Sequence, residues 1–269
     1  MRISRKFLSV FLAYFIGFLL NVIFGFYACR RNSSEARPKQ ELGIKNEIKQ
    51  KSGSSDQAYL SSILYVGAIP PPSHLRRTTI LNTLIEKFKY QSYLEIGQGR
   101  KEDNFDWVNC RKKIGVDPAK NLNAAFPMTS DEFFAINHDS FDLIFIDGLH
   151  QADQVERDIL NSLNVLNSNG AIVVHDCNPS SEDVQLMPRQ TLAWTGDVWK
   201  AWVKFRATRH DLKMYVVDVE TGCGIIRRGI QETIKAPEQL TYNLLNKNRT
   251  IWLNLVDADG FLRDLKNYK

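Results

Sequence analysis

Two short apolar runs, each closed by an acid, hold the residues of this chain best suited to chemistry. The first reads Tyr93-Leu94-Glu95-Ile96-Gly97-Gln98-Gly99; the second, Ile114-Gly115-Val116, ends in Asp117. In an open α/β sheet, ligands sit outside the carboxyl ends of the strands, where the chain order reverses. Gly97 and Gly99 let the backbone pass close to a bound nucleoside, and Asp117 can accept hydrogen bonds from ribose hydroxyls. A dinucleotide fingerprint wants a third glycine where Glu102 stands. A carboxylate at a helix N-terminus opposes a pyrophosphate there. The pattern predicts a ligand with a ribose and no phosphates.

A second group closes two later apolar runs. Asp147 ends one, with His150 three residues on; His175-Asp176 ends the other. Asp147 can hold a divalent metal or orient a hydroxyl, and it can equally cap a helix starting near Gln151. His150 has the pKa range to take a proton at working pH; a structural histidine is the plain alternative. Ser130 and Asp131, after a presumed third strand, can approach a nucleobase while also capping a helix. Trp194, Trp199 and Trp202 read first as helix packing, although Trp194 lies in a loop and can stack on a sugar.

The elements that must position these residues alternate. Candidate strands cover 92–97, 113–117, 142–147 and 171–176, each a short apolar run of the kind buried parallel strands show. Ser73 can cap a helix carrying Ile80, Leu81, Leu84, Ile85 and Phe88 on one face. Thr129-Ser130-Asp131-Glu132 is a capping box. Val155, Ile159, Leu163 and Leu166 predict a helix over 151–166 closed by Gly170, and a further helix is expected over 195–208. Met214–Val219 and Gly224–Arg228, joined by Glu220-Thr221-Gly222, read as a β-hairpin. Together they predict an α/β fold: a doubly wound, Rossmann-like, mostly parallel sheet with a C-terminal antiparallel hairpin forming one reversed edge.

Charge and hydropathy divide the chain further. Residues 1–51 hold ten Lys/Arg against three Asp/Glu, whereas 52–269 hold 25 against 27, so the net +5 resides in the N-terminal arm. A slightly acidic domain argues against a nucleic-acid substrate. Phe7 to Cys29 is an uncharged run of 23 residues, enough for a single membrane-spanning helix and lacking a good signal-peptide cleavage site. Positive residues flank both ends, leaving the membrane side of the domain open. The expected organisation is an anchor over 1–29, a polar linker over 30–57, the domain over 58–230 and a helical extension over 231–269. The final helix candidate there, carrying Leu244, Leu245, Trp252, Leu253 and Leu255, can pack on the sheet edge or mediate self-association. Cys29, Cys110, Cys177 and Cys223 show no metal-finger spacing or disulfide framework.

Taken together, YLEIGQG, IGVDP, MTSDEFF, FDLIFIDGLH, VVHDCNP and GDVWKAW resemble the class I S-adenosylmethionine (SAM)-dependent methyltransferases. Within them they are most similar to the small-molecule and sugar O-methyltransferase-like group, methyltransferase family 24, over roughly residues 60–230. The resemblance implies SAM as cofactor, with Glu95 organising the loop, Gly97 and Gly99 under the methionine moiety, Asp117 on the ribose, and Ser130 and Asp131 near the adenine. It places Asp147, His150 and His175 at the transferring methyl, His150 as the base. Relatives that bind Mg²⁺ put acids where Asp147, His175 and Asp176 stand; the histidine leaves Asp147 and Asp176 as ligands for Mg²⁺ or another divalent metal. The implied acceptor is a small molecule or glycan. Two other readings of the same residues stand beside it: a nicotinamide (NAD)-dependent oxidoreductase and a non-catalytic nucleoside-binding protein.

Overall fold

The computed structural model describes residues 75–267. The uncharged run 7–29, the linker 30–57, Ser73 and Cys29 lie outside the described residues. Among the described residues no helix is long and apolar enough to cross a membrane.

Seven strands form one sheet: β1 Ser92–Ile96, β2 Lys112–Val116, β3 Phe141–Ile146, β4 Leu166–Val174, β5 Leu212–Val217, β6 Cys223–Arg228 and β7 Leu255–Val256. Their order across the sheet is β2-β1-β3-β4-β6-β5-β7. Strands β1 to β4 pair in parallel, and β6 runs antiparallel to both β4 and β5. The reversed strand, β6, is therefore interior, not the expected edge, because β5 lies outside it and the two-residue β7 pairs in parallel with β5 beyond.

Strand residues alternate between two apolar layers, as a two-sided sheet requires. Phe141, Ile144, Ile146, Ile172 and Val174 face helices α2 Ser130–Ile136, α3 Ala152–Val165, α4 Val198–Thr208 and α5 Tyr242–Leu253. Leu143, Phe145, Ala171 and Val173 face α1 Arg77–Phe88 and α6 Ala258–Asn267. Helices on both faces make the sheet doubly wound. Leu245, Trp252 and Leu253 of α5 join the first layer, so that helix packs on the sheet, while Leu255 lies in β7.

Four local expectations are corrected. Helix α1 starts at Arg77 with Arg76 as its N-cap, its backbone N–H bonded to Thr79 Oγ1, so Ser73 is too far upstream to cap it. The presumed third strand before Ser130 shrinks to one parallel bridge, Val116 with Phe126; Pro118 and Pro127 leave little ladder to extend. Gly170 does not terminate α3. It sits within β4, where an added Cβ would lie 2.7 Å from the Asp142 carbonyl. No α-helix follows the glycine loop; two 3₁₀ turns, Lys101–Asp103 and Phe105–Trp107, lead into β2. The objection Glu102 raised to a pyrophosphate thus has no helix N-terminus behind it; the helical anion cradle itself is missing.

Candidate active site

Register builds the site. Ile96 is level with Val116 and with Ile146, and Ile146 with Val174. The next residues, Gly97, Asp117, Asp147 and His175, therefore stand side by side along the carboxyl rim. Rim hydrogen bonds hold them there: Gly97 N–H to the Val116 carbonyl, Asp147 N–H to that of Ile96, His175 N–H to that of Ile146. Chain order reverses between β1 and β3, so a crevice opens beside Gly97 and Asp147.

Two cavities meet there, sharing Gly97, Gly99 and Asp147. One, about 380 Å³, is lined by Ile96, Val116, Met128 and Leu149, with Asp117 and Ser130 at its polar margin. Its apolar walls suit a nucleobase. Asp117 Oδ2 accepts from the Gly99 N–H at 2.9 Å, and Oδ1 from the Ala119 N–H at 2.9 Å. It thus braces the glycine loop while bordering the cavity. Gly97 has φ +79°, and a Cβ there would lie 2.3 Å from the Asp147 carbonyl oxygen. Only glycine permits that approach.

Ser130 and Asp131 part company. Thr129 caps α2 with Glu132 closing the box, leaving Ser130 free to line the cavity. Asp131 is absent from its lining; it takes the Gln154 amide at 3.2 Å and faces Arg157 at 3.5 Å. Gln154, which sequence reasoning missed, also donates to Ser130 and to the buried Asp158.

The second cavity, about 440 Å³, is polar: Arg77, Glu95, Gln98, Asn104, Asp147, His150, His175, Asp176 and Glu220 line it, with Trp194. Glu95 is buried at 1 % exposure. It accepts from the Tyr93 hydroxyl at 2.6 Å and from Asn104 at 3.1 Å, and Asn104 is held by Thr78 of α1. Burial pushes its carboxyl up to about 7 against the pull of those bonds.

Beyond Glu95, acids and imidazoles interleave. His150 Nδ1 lies 2.9 Å from Asp176 Oδ2 and its Nε2 3.5 Å from Asp147 Oδ1. His175 Nδ1 lies 3.2 Å from Asp147 Oδ1 and its Nε2 3.6 Å from Glu220 Oε2. Arg77 Nη1 is 3.9 Å from Asp147 Oδ2. Burial alone would lower the histidines, but the hydrogen bonds and charges of these acids lift His150 to about 10 and His175 well above its usual value. In return, the His175 charge and the bonds from both rings overcome burial and hold Asp147 at about 2. These acids favour the charged form of His150, a shift that works against the general base the sequence suggests. Asp147 does not cap α3. Gln151 is its N-cap, and Asp197 Oδ1 takes the Ala152 N–H at 2.8 Å.

Glu220 was read as a turn residue. Its backbone is left-handed at φ +51°, as is that of Asp176 at +61°, a strain that clusters at working sites. A hairpin turn offers no sequence signal for this; only β6, by lying beside β4, brings Glu220 to His175. The sequence leaves Trp194 between helix packing and a sugar platform; in the structure its ring stacks on His150, centroids 5.3 Å apart at 10°.

Donor atoms of Asp147, His175 and Asp176 fall within 4.8 Å of one another. The set mixes one imidazole nitrogen with carboxylate oxygens. It does not fit Mg²⁺, which wants an all-oxygen octahedron.

Residues 88–177 match a family model described as a methyltransferase domain. The resemblance read from the sequence is confirmed over that stretch, which holds every expected site residue but neither Trp194 nor Glu220. No curated protein sequence matches the chain. Among solved structures it is similar to an SAH-bound methyltransferase of Podospora anserina, with TM-score 0.41 and 15 % identity over 73 % of this chain and 100 % of that one. It is also similar to a putative caffeoyl-CoA O-methyltransferase of Staphylococcus aureus, with TM-score 0.44 and 12 % identity over 69 % and 97 %. A third is an O-methyltransferase involved in tomaymycin synthesis from Streptomyces achromogenes, in complex with SAM, with TM-score 0.41 and 16 % identity over 66 % and 91 %.

Proposed function

We propose that the chain is a SAM-dependent methyltransferase acting on a hydroxyl of a small polar acceptor, with a sugar as the acceptor class. The supporting observation is the pair of cavities meeting at Gly97, Gly99 and Asp147, one apolar with an acid at its margin, the other polar and charged. The apolar lobe takes the adenine, Asp117 the ribose, and Glu95 the α-ammonium. Bound SAM supplies an electrophilic methyl on a sulfonium leaving group. The protein's contribution is alignment, where proximity is worth about 7–11 kcal/mol at best.

Polar walls favour the sugar. Charged and polar side chains predominate among the second cavity's lining residues, with Ala193 and Trp194 its apolar ones. Asp147 and Glu220 accept hydrogen bonds from acceptor hydroxyls, held in place by His175 between them. As C–O forms and C–S breaks, the hydroxyl proton must leave. His150 can take it once neutral, and a sulfonium charge nearby lowers its pKa toward that state. Turnover therefore rises with pH. No step is assigned to a metal.

The uncharged run 7–29 would tether this enzyme to a membrane; alkaline extraction of membranes that leaves the full chain in the pellet checks that. The central test titrates SAM, its demethylated product and NAD into the full-length protein, with Asp117→Ala alongside. Micromolar SAM binding lost in the variant, followed by methyl transfer to a panel of sugars, supports the reading. NAD binding in its place would overturn it, as would silence toward SAM from a folded protein.

A further inference from the structure

The segment Trp194–Asp197 lies beyond the matched family stretch, yet it closes on one residue of the site. The Asp197 N–H donates to the His150 carbonyl at 3.2 Å. The Trp194 carbonyl lies 3.3 Å from His150 Nδ1, and its indole stacks on the imidazole. Between them, Gly196 has φ +58°, and a Cβ there would stand 1.8 Å from the His150 carbonyl oxygen. The segment is itself anchored: the Thr195 N–H bonds to the Val184 carbonyl at 2.9 Å, and Trp194 Nε1 to that of Leu186 at 2.9 Å.

We propose that Trp194 and Gly196 are positioning residues that latch His150 against Asp176 and Asp147. This rests on the reading above, in which His150 faces the transferring methyl. A histidine on a loop has several staggered rotamers, and most would swing its ring out of reach of the carboxylates. Two contacts remove that freedom. The indole face, nearly parallel to the imidazole with centroids 5.3 Å apart, holds the ring in plane. The glycine lets a second chain segment reach the His150 backbone and fix its height on the rim. Asp197 completes the device by capping α3 two residues further on.

The latch has a spectroscopic signature that mere structural support lacks. An imidazole N–H bonded to a carboxylate at 2.9 Å gives a low-field proton resonance, assigned to His150 by its loss in His150→Gln. In full-length protein, that resonance is expected in the wild type and in Trp194→Phe, which keeps a stacking ring. It is expected to vanish in Gly196→Ala and Trp194→Leu while the melting transition persists. Retention of the resonance in folded Trp194→Leu overturns the proposal, even if Gly196→Ala fails to fold; so does its absence from the wild type. A wild type that shows the resonance but binds no SAM would end the methyltransferase reading and leave the latch standing.

Discussion

At the scale of single residues, Glu95 carries the clearest consequence. Its carboxyl, lifted to about 7 by burial, is part protonated in the empty site at neutral pH. A cationic α-ammonium beside it favours the ionised form. SAM binding should therefore expel a proton near pH 7, and affinity should weaken as pH falls below 7. Calorimetry in buffers of different ionisation heat reads that proton directly; equal heats in all buffers would disprove the assignment. Glu95→Gln removes the charge and should weaken SAM by about tenfold or more, the worth of one charged hydrogen bond, while flattening the pH dependence. Glu220 makes the complementary point. Nothing in Glu220-Thr221-Gly222 announces more than a turn, because its partners His175 and Arg77 lie 45 and 143 residues away in the chain.

At the scale of elements, the tightest constraint is where β1 and β3 release their chains at the switch point. Gly97→Ala would place a Cβ 2.3 Å from backbone atoms at Asp147 and Gly148 in a left-handed conformation. Strain of that kind costs about 1–3 kcal/mol, so a melting temperature lowered by roughly 2–12 °C is expected at about 2–4 °C per kcal/mol. SAM binding should fall further than stability does, since the β1 and β3 ends separate where the two cavities join. Unchanged SAM affinity in a folded variant would remove Gly97 from the site. Strands β1 to β4 were legible because each is a buried apolar run bounded by polar or glycine residues. The interior position of β6 was not legible, for a hairpin pattern does not say which arm joins the existing sheet. Nor was the collapse of the third strand to a bridge at Phe126, which depends on how little chain separates two prolines.

At the scale of the whole molecule, the rim is a balanced set of three acids, Asp147, Asp176 and Glu220, against His150, His175 and Arg77. That balance governs stability against pH. Asp147 is held at about 2 and Asp176 lower still. Their stabilisation is complete above the unfolded carboxylate value of about 4 and is lost as pH falls through 2. His150 is raised to about 10, so its contribution is complete below about 6.5 and drains away as pH climbs through 10. Glu95 works in the same sense as His150 and against the two aspartates, since its raised value means stability declines as pH rises between about 4.5 and 7. The described fold should therefore melt at progressively lower temperature from pH 7 to pH 10. His150→Gln, which has no proton to lose, should make that alkaline limb shallower, His175 supplying what remains, and should weaken the acid limb as well, because Asp147 and Asp176 lose the bonds from its ring. Melting curves of both proteins across the range decide it. Parallel alkaline limbs would show that His150 is not charged in the native state, and with that the paired acids and imidazoles would cease to explain how this rim holds together.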